Sequence, residues 1–410
     1  MRTILHSDLN NFYASVECVE NPAFRDIPIA VCGDPEARHG IVLAKNQLAK
    51  AAGVITGEAI WQARQKCPGL HSVKPNFRRY LKFARLMRAI YADYTEKIEP
   101  FGLDEAWLDV TGHAMSGEAI ADELRLRAKE ELGLTLSIGV SFNKVFSKLG
   151  SDMKKPDATT VITRENYQSR IWPLPAQQLL YVGYATTAKL RRRNIYTIGD
   201  IARCPVEILR KALGKAGEMI WSFANGLESS PVTKLGEEAM IKSVGNSTTT
   251  PRDISDDADA RMVLYLLSES VAERLREHGL RGATVCLSVR DCALDSFVCQ
   301  HKLSRATAIS NEIAQTAFAL FAEHYHWDRP VRSLGVSVTS LEPLACDEQL
   351  TMFPDLPRER LFEFEGAVAD VRRRFGHFAL QRAVFITHRD MGAINPKDDH
   401  TIHPVGWKAG

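Results

Sequence analysis

Residues 102–111 read GLDEAWLDVT, and they place two neighbouring acids, Asp104 and Glu105, between a glycine turn and a strand-like run. A third acid, Asp8, lies at the end of the strand-like alternation of residues 3–9. Neighbouring strand residues face opposite sides, so Asp104 and Glu105 can face one site only if a turn intervenes. Mg²⁺ prefers oxygen ligands, so three acids at converging strand ends predict a magnesium site.

The chemistry predicted for these acids is phosphoryl transfer. Two divalent ions held ~3.5–4 Å apart can activate an attacking oxygen and stabilise a leaving one. For any single carboxylate, capping a turn or pairing with a nearby cation is the commoner role. The spacing therefore indicates a class of reaction and leaves the structural alternative open.

Length and composition predict a folded chain of several domains. The 410 residues suffice for two to four domains, and 45% apolar with 25% charged residues is typical of globular proteins. The 52 basic and 50 acidic residues nearly cancel, so any polyanion-binding surface must be local. Eight scattered cysteines without a C-x-x-C pair favour a reduced, cytosolic chain, and neither a secretory signal nor a membrane span is predicted.

The order of the predicted elements indicates a multi-domain α+β protein. The opening 160 residues mix strands and helices, and one helix is predicted from Phe77 to about Ile98, ended by Glu99-Pro100. Short helices follow from Pro173 to about Leu227. After a polar stretch the order is β-α-β-β-α-β, and a last helix is predicted near 358–374.

Three motifs resemble those of Y-family translesion DNA polymerases, most closely the bacterial DNA polymerase IV branch. They are DLNNFYASVE at 8–17, GLDEAWLDVT at 102–111 and GVSFNKVFSKLGSDMKKP at 139–156, and the likeness continues to about residue 345. The resemblance implies a right-hand polymerase. Its expected parts are a palm (1–10 and 78–165), fingers (11–77), a helix-hairpin-helix thumb (166–230), a linker (231–240), a βαββαβ little finger (241–345) and a tail (346–410).

By this resemblance the catalytic acids are Asp8, Asp104 and Glu105. They would bind two Mg²⁺ ions, with Mn²⁺ as a substitute, and the carbonyl of Leu9 would be a further ligand. The primer 3′ hydroxyl would attack the α-phosphate of a deoxynucleoside triphosphate, and pyrophosphate would leave. Many relatives have Asp where Asn10 stands, and we do not expect this difference to inactivate the chain.

The resemblance also implies the nucleotide site. Tyr13 would be the steric gate that excludes a ribose 2′ hydroxyl, and Phe12 would support the sugar pocket; outside the motif, Tyr13 would be read as an ordinary half-buried aromatic. Gln47 and Lys50 stand where the family has a tyrosine and an arginine that grip the triphosphate. Lysine lacks the planar fork of arginine, so this pair is a weakened version of that grip. Lys155 would reach the triphosphate.

A helix predicted in the third motif has two stripes. One is apolar and should pack, and the other is cationic. The apolar stripe is Val145, Leu149 and Met153, and the cationic stripe is Lys144, Lys148 and Lys155. We predict that Lys148 contacts DNA, whereas a solvated lysine face is the alternative for an arbitrary helix.

A basic region predicts the grip on DNA. Residues 141–215 hold 14 Lys and Arg against 5 Asp and Glu, and residues 182–202 resemble a helix-hairpin-helix, with Asn194 at a common glycine position. A solvated helix end is the alternative for this arginine cluster. Residues 241–340 hold 11 basic and 12 acidic residues, which weakens the electrostatic case there. The predicted DNA contacts besides Lys148 are Lys189, Arg191, Arg192, Arg193, Lys242, Arg252 and Arg290, with Arg252 and Arg290 expected to be free of the nearby acids.

A short peptide near the end resembles the motif by which bacterial polymerases bind the sliding clamp. Its anchors are Gln349, Leu350, Met352 and Phe353, and an ordinary buried loop is the alternative. The expected partners are primer-template DNA, deoxynucleoside triphosphates and the clamp, for a monomer in the bacterial cytoplasm that acts at the nucleoid. The rival functions are a non-catalytic clamp or DNA-binding adaptor of the same fold and a palm-like nucleotidyl cyclase or other two-metal phosphotransferase.

Overall fold

The computed structural model describes residues 2–34, 40–237, 240–345, 356–387 and 389–395. These residues form two compact units. The first holds the described residues through Gly33 and from Ile41 to Glu237, and the second holds the described residues that follow Glu237. Both units combine helices and sheets, which confirms the α+β prediction.

The first unit contains a five-stranded sheet and a three-stranded sheet. The larger has the order β5-β6-β1-β7-β8 and the smaller has the order β3-β2-β4. The strands are β1 (Ile4–Leu9), β2 (Ile29–Cys32), β3 (Val42–Lys45), β4 (His71–Val73), β5 (Ile98–Phe101), β6 (Glu105–Asp109), β7 (Leu136–Ser141) and β8 (Ala158–Val161).

Helices cover the sheets of the first unit and form all of its later part. They are α1 (Phe12–Glu20), α2 (Gln47–Ala51), α3 (Ile60–Lys66), α4 (Phe77–Ala92), α5 (Gly117–Leu132), α6 (Lys144–Met153), α7 (Tyr167–Ile171), α8 (Tyr184–Arg191), α9 (Ile198–Arg203), α10 (Val206–Leu213) and α11 (Lys215–Ala224). Every residue of β1 is buried, since antiparallel partners flank it on both sides and helices cover the sheet. The helices of residues 166–230, predicted as the thumb, share one apolar core with earlier residues that include Phe142, Phe146 and Leu149.

The second unit confirms the predicted β-α-β-β-α-β order. Its sheet has the order β11-β10-β12-β9, and inward residues such as Val285, Leu287 and Val289 alternate with outward ones along β10. The elements are β9 (Ser243–Ile254), α12 (Asp257–Glu277), β10 (Leu280–Asp291), β11 (Ser296–Thr307), α13 (Ser310–His324), β12 (Val331–Pro343), α14 (Leu356–Phe375), α15 (Val384–Thr387) and α16 (Arg389–Gly392).

The tail helix α14, predicted near 358–374, packs on the second unit. The buried carboxylate of Glu365 accepts hydrogen bonds from the backbone N–H and hydroxyl of Ser310, at the start of α13. It also lies 2.9 Å from Arg276. The later residues Met391 and Ile394 are buried in the same core as the sheet. The described part of the tail is therefore a layer of this unit.

One sequence-based helix boundary was wrong. The helix expected from Phe77 to Ile98 ends at Ala92, where its apolar periodicity stops, and Pro100 lies inside β5. An edge strand tolerates proline because one side of it needs no ladder hydrogen bond. The stretch predicted as a linker, 231–240, contains the division between the two units after Glu237. Its first part is packed, because Val232 is buried against Ile4 and Trp107.

Within the described residues, no helix combines the length and the apolar character that crossing a membrane requires.

Candidate active site

The three acids meet at one end of β1. Asp8 stands opposite Glu105 in the β1–β6 register, and the backbone N–H of Leu9 donates to the carbonyl of Asp104 at 2.9 Å. A turn through Gly102, whose φ of +85° favours glycine, ends just before β6 begins. This turn removes the objection from strand geometry, because Asp104 lies in it and only Glu105 follows the pleat.

Two lysines pair with these acids. Lys155 Nζ lies 2.6 Å from Asp8 Oδ2, and Lys148 Nζ lies 2.5 Å from Glu105 Oε2. The fully buried His6 lies behind them, with Nε2 3.3 Å from Glu105 Oε2 and Nδ1 2.8 Å from Ser151 Oγ. Lys148, predicted to contact DNA, is thus placed beside a predicted catalytic acid.

Burial and mutual repulsion shape the ionisation of the acids. Burial raises the pKa of Asp8 to about 7, with Glu105 adding to the rise and Lys155 opposing it. Burial and then the charge of Glu105 raise the pKa of Asp104 to about 6. For Glu105 burial acts in the same direction, but His6 and Lys148 outweigh it and lower its pKa. Asp8 and Asp104 therefore ionise less readily than free carboxyl groups, and Glu105 ionises more readily.

The acids line a cavity of about 400 Å³ together with Leu9 and Lys155. Across the described residues, no three His, Cys, Asp or Glu side chains are grouped as ligands of one metal ion. Asp8 and Glu105 are each paired with a lysine. The donor set nevertheless fits a hard divalent cation, because three carboxylates share the cavity with a backbone segment that can offer a carbonyl.

Tyr13 lines the same cavity and is supported by aromatic contacts. Its ring stacks on that of Tyr80 at 4.4 Å, and the Tyr80 hydroxyl donates to Glu17 Oε1 at 2.7 Å. Phe12 is buried beneath and also borders the cavity. Sequence reasoning missed Tyr80 as the support of Tyr13, although its spacing from Phe83, Ala84 and Met87 places it on the buried face of α4.

The fingers segment places a different lysine at the cavity from the one predicted. Lys45 and Thr56 line it, with Lys45 Nζ donating to Thr56 Oγ1 at 2.8 Å. Burial, then the charge of Lys50, lowers the pKa of Lys45. Gln47 borders a neighbouring cavity instead, and Lys50 is exposed. The sequence analysis did not predict a role for Lys45 because this lysine is not one of the family's motif residues. Its charge at the end of β3 is nevertheless visible in the sequence.

The predicted stripes of α6 are only partly right. Val145 and Leu149 are buried as expected, but Met153 is 36% exposed. Lys144 is buried rather than solvated, and its Nζ lies 2.6 Å from Glu99. Helix α6 therefore packs against protein at Lys144 as well as along its apolar stripe.

The predicted DNA contacts differ in their surroundings. Lys189 and the arginines at 191–193 are exposed at the end of α8. Asn194, at the common glycine position, has a φ of +58°, in the left-handed region that asparagine tolerates. In the second unit Lys242 and Arg290 are exposed. Arg252 is not free as expected, because it lies 2.6 Å from Asp259 near the start of α12. The clamp-like peptide at Gln349, Leu350, Met352 and Phe353 lies outside the described residues.

Comparison with known proteins identifies the fold and then the family. A solved chimeric Y-family DNA polymerase superimposes with a TM-score of 0.71 at 24% identity, covering 82% of this chain and 98% of that one. The fold is therefore that of the Y-family polymerases, with palm, fingers, thumb and little finger.

Sequence comparison is more specific. The profile of the impB/mucB/samB family matches residues 7–152, and the profile of its C-terminal domain matches residues 241–352. DNA polymerase IV of Acetivibrio thermocellus is 50% identical over 96% of this chain and 100% of its own length. DNA polymerase IV 2 of Bacillus subtilis is 35% identical over 94% of this chain and 95% of its own. The chain belongs to the impB/mucB/samB family, in its DNA polymerase IV branch.

Proposed function

We propose that this chain is a template-directed DNA polymerase, specialised for synthesis across damaged template bases. One observation supports the proposal above all: a single cavity gathers the acids Asp8, Asp104 and Glu105, the lysines Lys45 and Lys155, and the ring of Tyr13. The relatives named DNA polymerase IV support the reaction. A nucleotidyl cyclase would need no exposed basic hairpin, and a non-catalytic adaptor would need no acids.

The roles of the residues follow from their places in the cavity. Asp8, Asp104, Glu105 and the Leu9 carbonyl would hold divalent cations, which we take to be two Mg²⁺ ions with Mn²⁺ as a substitute. Such ions supply charge stabilisation for the attacking and leaving oxygens of phosphoryl transfer. Lys155, released from Asp8, would bind the triphosphate.

The walls of the cavity set the choice of nucleotide. The Tyr13 ring would exclude a ribose 2′ hydroxyl, and Phe12 would hold that ring from below. Burial, with the charge of Asp104, raises the pKa of Tyr13 to about 12, so its phenol stays neutral at working pH. Lys45 would supply the phosphate contact that Gln47 and Lys50 are placed less well to make.

The DNA contacts and partners are inferred from charge and motif. The exposed Lys189 and the arginines 191–193 would bind the DNA backbone, with Lys242 and Arg290 as contacts from the little finger. Lys148 and Arg252 would join them only by leaving their acidic partners. We further propose a monomer of the bacterial cytoplasm that acts at the nucleoid and binds the sliding clamp through residues 349–353.

Primer extension tests the polymerase. The purified chain should extend a labelled primer on intact and abasic templates with Mg²⁺ and four deoxynucleotides. The double variant Asp104→Ala, Glu105→Ala should bind the same DNA and add nothing, because the metal ligands and the phosphate contacts are separate sets. A wild-type chain that binds DNA without extending it would make the adaptor the better interpretation.

A further inference from the structure

The turn that carries Lys155 into the cavity is held by an uncharged residue at the end of β1. Asn10 is 5% exposed. Its Oδ1 accepts the backbone N–H of Asp157 at 2.9 Å, and its Nδ2 donates to Ser137 Oγ at 2.9 Å. Ser137 is fully buried in β7. The side chain of Asn10 therefore ties the turn to the middle of the sheet.

A second residue holds the turn from the other side. Arg125, on α5, donates through Nε to Asp157 Oδ1 at 3.0 Å and through Nη2 to the Asp157 carbonyl at 2.6 Å. Asp157 has a φ of +50°, a left-handed conformation that costs free energy for a residue other than glycine. Contacts on its N–H, its carbonyl and its carboxylate together keep it in that conformation.

The position of this turn decides where Lys155 lies, because Asp157 is only two residues further along the chain. Lys155 Nζ lies between Asp8 and Asp152, 2.6 and 2.8 Å from their oxygens. We propose that Asn10 and Arg125 are positioning residues for nucleotide binding, which hold the 155–157 turn so that Lys155 faces the triphosphate. This inference rests on the proposed polymerase function.

The same geometry gives a reason for an amide at position 10. A carboxylate could also accept from the Asp157 N–H and from the Ser137 hydroxyl, so either side chain would hold the turn. An amide adds no formal charge beside Asp8 and Asp104, whereas a carboxylate would add one. Asn10 thus keeps the two contacts without further raising the local negative charge.

Steady-state kinetics of single-nucleotide insertion test the proposal. Asn10→Ala and Arg125→Ala should each raise the KM for the deoxynucleotide about threefold to tenfold, the effect of one or two lost hydrogen bonds. We expect kcat at saturating nucleotide and DNA affinity to stay within about twofold, because the acids and the DNA contacts are untouched. Asn10→Asp should restore the wild-type KM.

A matched control comes from the same helix. Arg127 lies two residues beyond Arg125 and pairs with Asp93 and Glu131 instead of the turn. Arg127→Ala should leave the KM at the wild-type value. An equal rise in KM for Arg127→Ala would overturn the proposal, since it would show that loss of any α5 arginine has this effect.

The decisive measurement places the same changes in a Lys155→Ala background. If Asn10 and Arg125 act through Lys155, their alanine variants should change the KM there by less than about twofold. The proposal would be contradicted if each alanine change raised the KM in the Lys155→Ala background by the same factor as in the wild type. A wild type that extends no primer would refute the polymerase and this inference together, whereas an active wild type with unchanged KM in both variants would refute the inference alone.

Discussion

At the scale of single residues, the clearest prediction concerns Tyr13, the proposed steric gate that excludes a ribose 2′ hydroxyl. Tyr13→Ala should lower the preference for deoxynucleotides over ribonucleotides by about tenfold or more, because removal of a steric wall relaxes discrimination. Insertion kinetics with paired dNTP and rNTP measure it. Tyr13→Phe keeps the ring stacked on Tyr80 and should keep the preference. A preference that survives the alanine change would exclude Tyr13 as the gate.

Lys45 and Lys50 can be separated by the same assay. Lys45 lines the cavity and Lys50 is exposed outside it. Lys45→Ala should raise the KM for the nucleotide about fivefold or more, as expected for a lost charge-assisted contact to phosphate, whereas Lys50→Ala should change it little. A larger rise in KM for Lys50→Ala than for Lys45→Ala would instead support Lys50, the residue predicted from the sequence, as the phosphate contact.

The buried acids should also make stability depend on pH when metal is removed. The raised pKa of Asp104 means that the folded state holds a proton that the unfolded state has lost, so stability falls as pH rises through about 6. In a chelator, Asp104→Asn should therefore increase the free energy of unfolding at pH 8 by about 1 to 2 kcal/mol, and by less at pH 5. Denaturant titrations at the two pH values measure this.

Asp109 provides a control of opposite sign. Burial would raise its pKa, but hydrogen bonds with Thr111 and the charge of Lys97 outweigh burial and lower it. Ionised Asp109 therefore stabilises the folded state at pH values above the unfolded-state pKa, and this stabilisation is lost as pH falls through the folded-state pKa. Asp109→Asn should accordingly destabilise the protein at pH 8. If Asp104→Asn instead lowers the free energy of unfolding at pH 8, the surroundings of Asp104 do not disfavour its ionised form.

At the scale of elements, the contact of α6 with β7 depends on a glycine. A Cβ built on Gly139 would lie 1.8 Å from the carbonyl oxygen of Ser147, so helix and strand touch backbone to backbone. Gly139→Ala should cost about 3 kcal/mol or more, since neither backbone can yield freely, and it should displace Lys148. Thermal unfolding of this variant beside Gly69→Ala, which meets nothing within 4 Å, measures the cost. Equal melting temperatures would contradict the close packing.

Periodicity and motifs predicted most elements but not the contacts between them. The strand predicted at residues 3–9 and the helix predicted near 358–374 lie within two residues of β1 and α14, because strand alternation and helical periodicity are local signals. Strand β8 was missed because four residues in the sequence ATTV carry little pattern. Asp8, Asp104 and Glu105 were found through motifs, whereas the roles of Tyr80 and Arg125 depend on chain segments 32 or more residues apart and have no local signature.

At the scale of the whole molecule, the uneven distribution of charge should determine how salt affects DNA binding. Basic residues exceed acidic ones by nine in residues 141–215 but not in residues 241–340. Changing Lys189 and the three arginines 191–193 to alanine should make the slope of log affinity against log salt shallower by about 3.6, since each of the four lost phosphate contacts contributes about 0.9. Lys129→Ala, an exposed change on α5, is the control. An unchanged slope would exclude the hairpin from the DNA interface.

The packed tail has a consequence for the order in which the two units mature during synthesis. The first unit has all its described residues by Glu237, but the core of the second unit includes Phe385, Met391 and Ile394. At roughly 5–20 residues per second, the ribosome needs on the order of 10–30 s more to reach those residues. The half that carries the acids can therefore fold during translation while the other half still exposes an incomplete apolar core to chaperones and proteases.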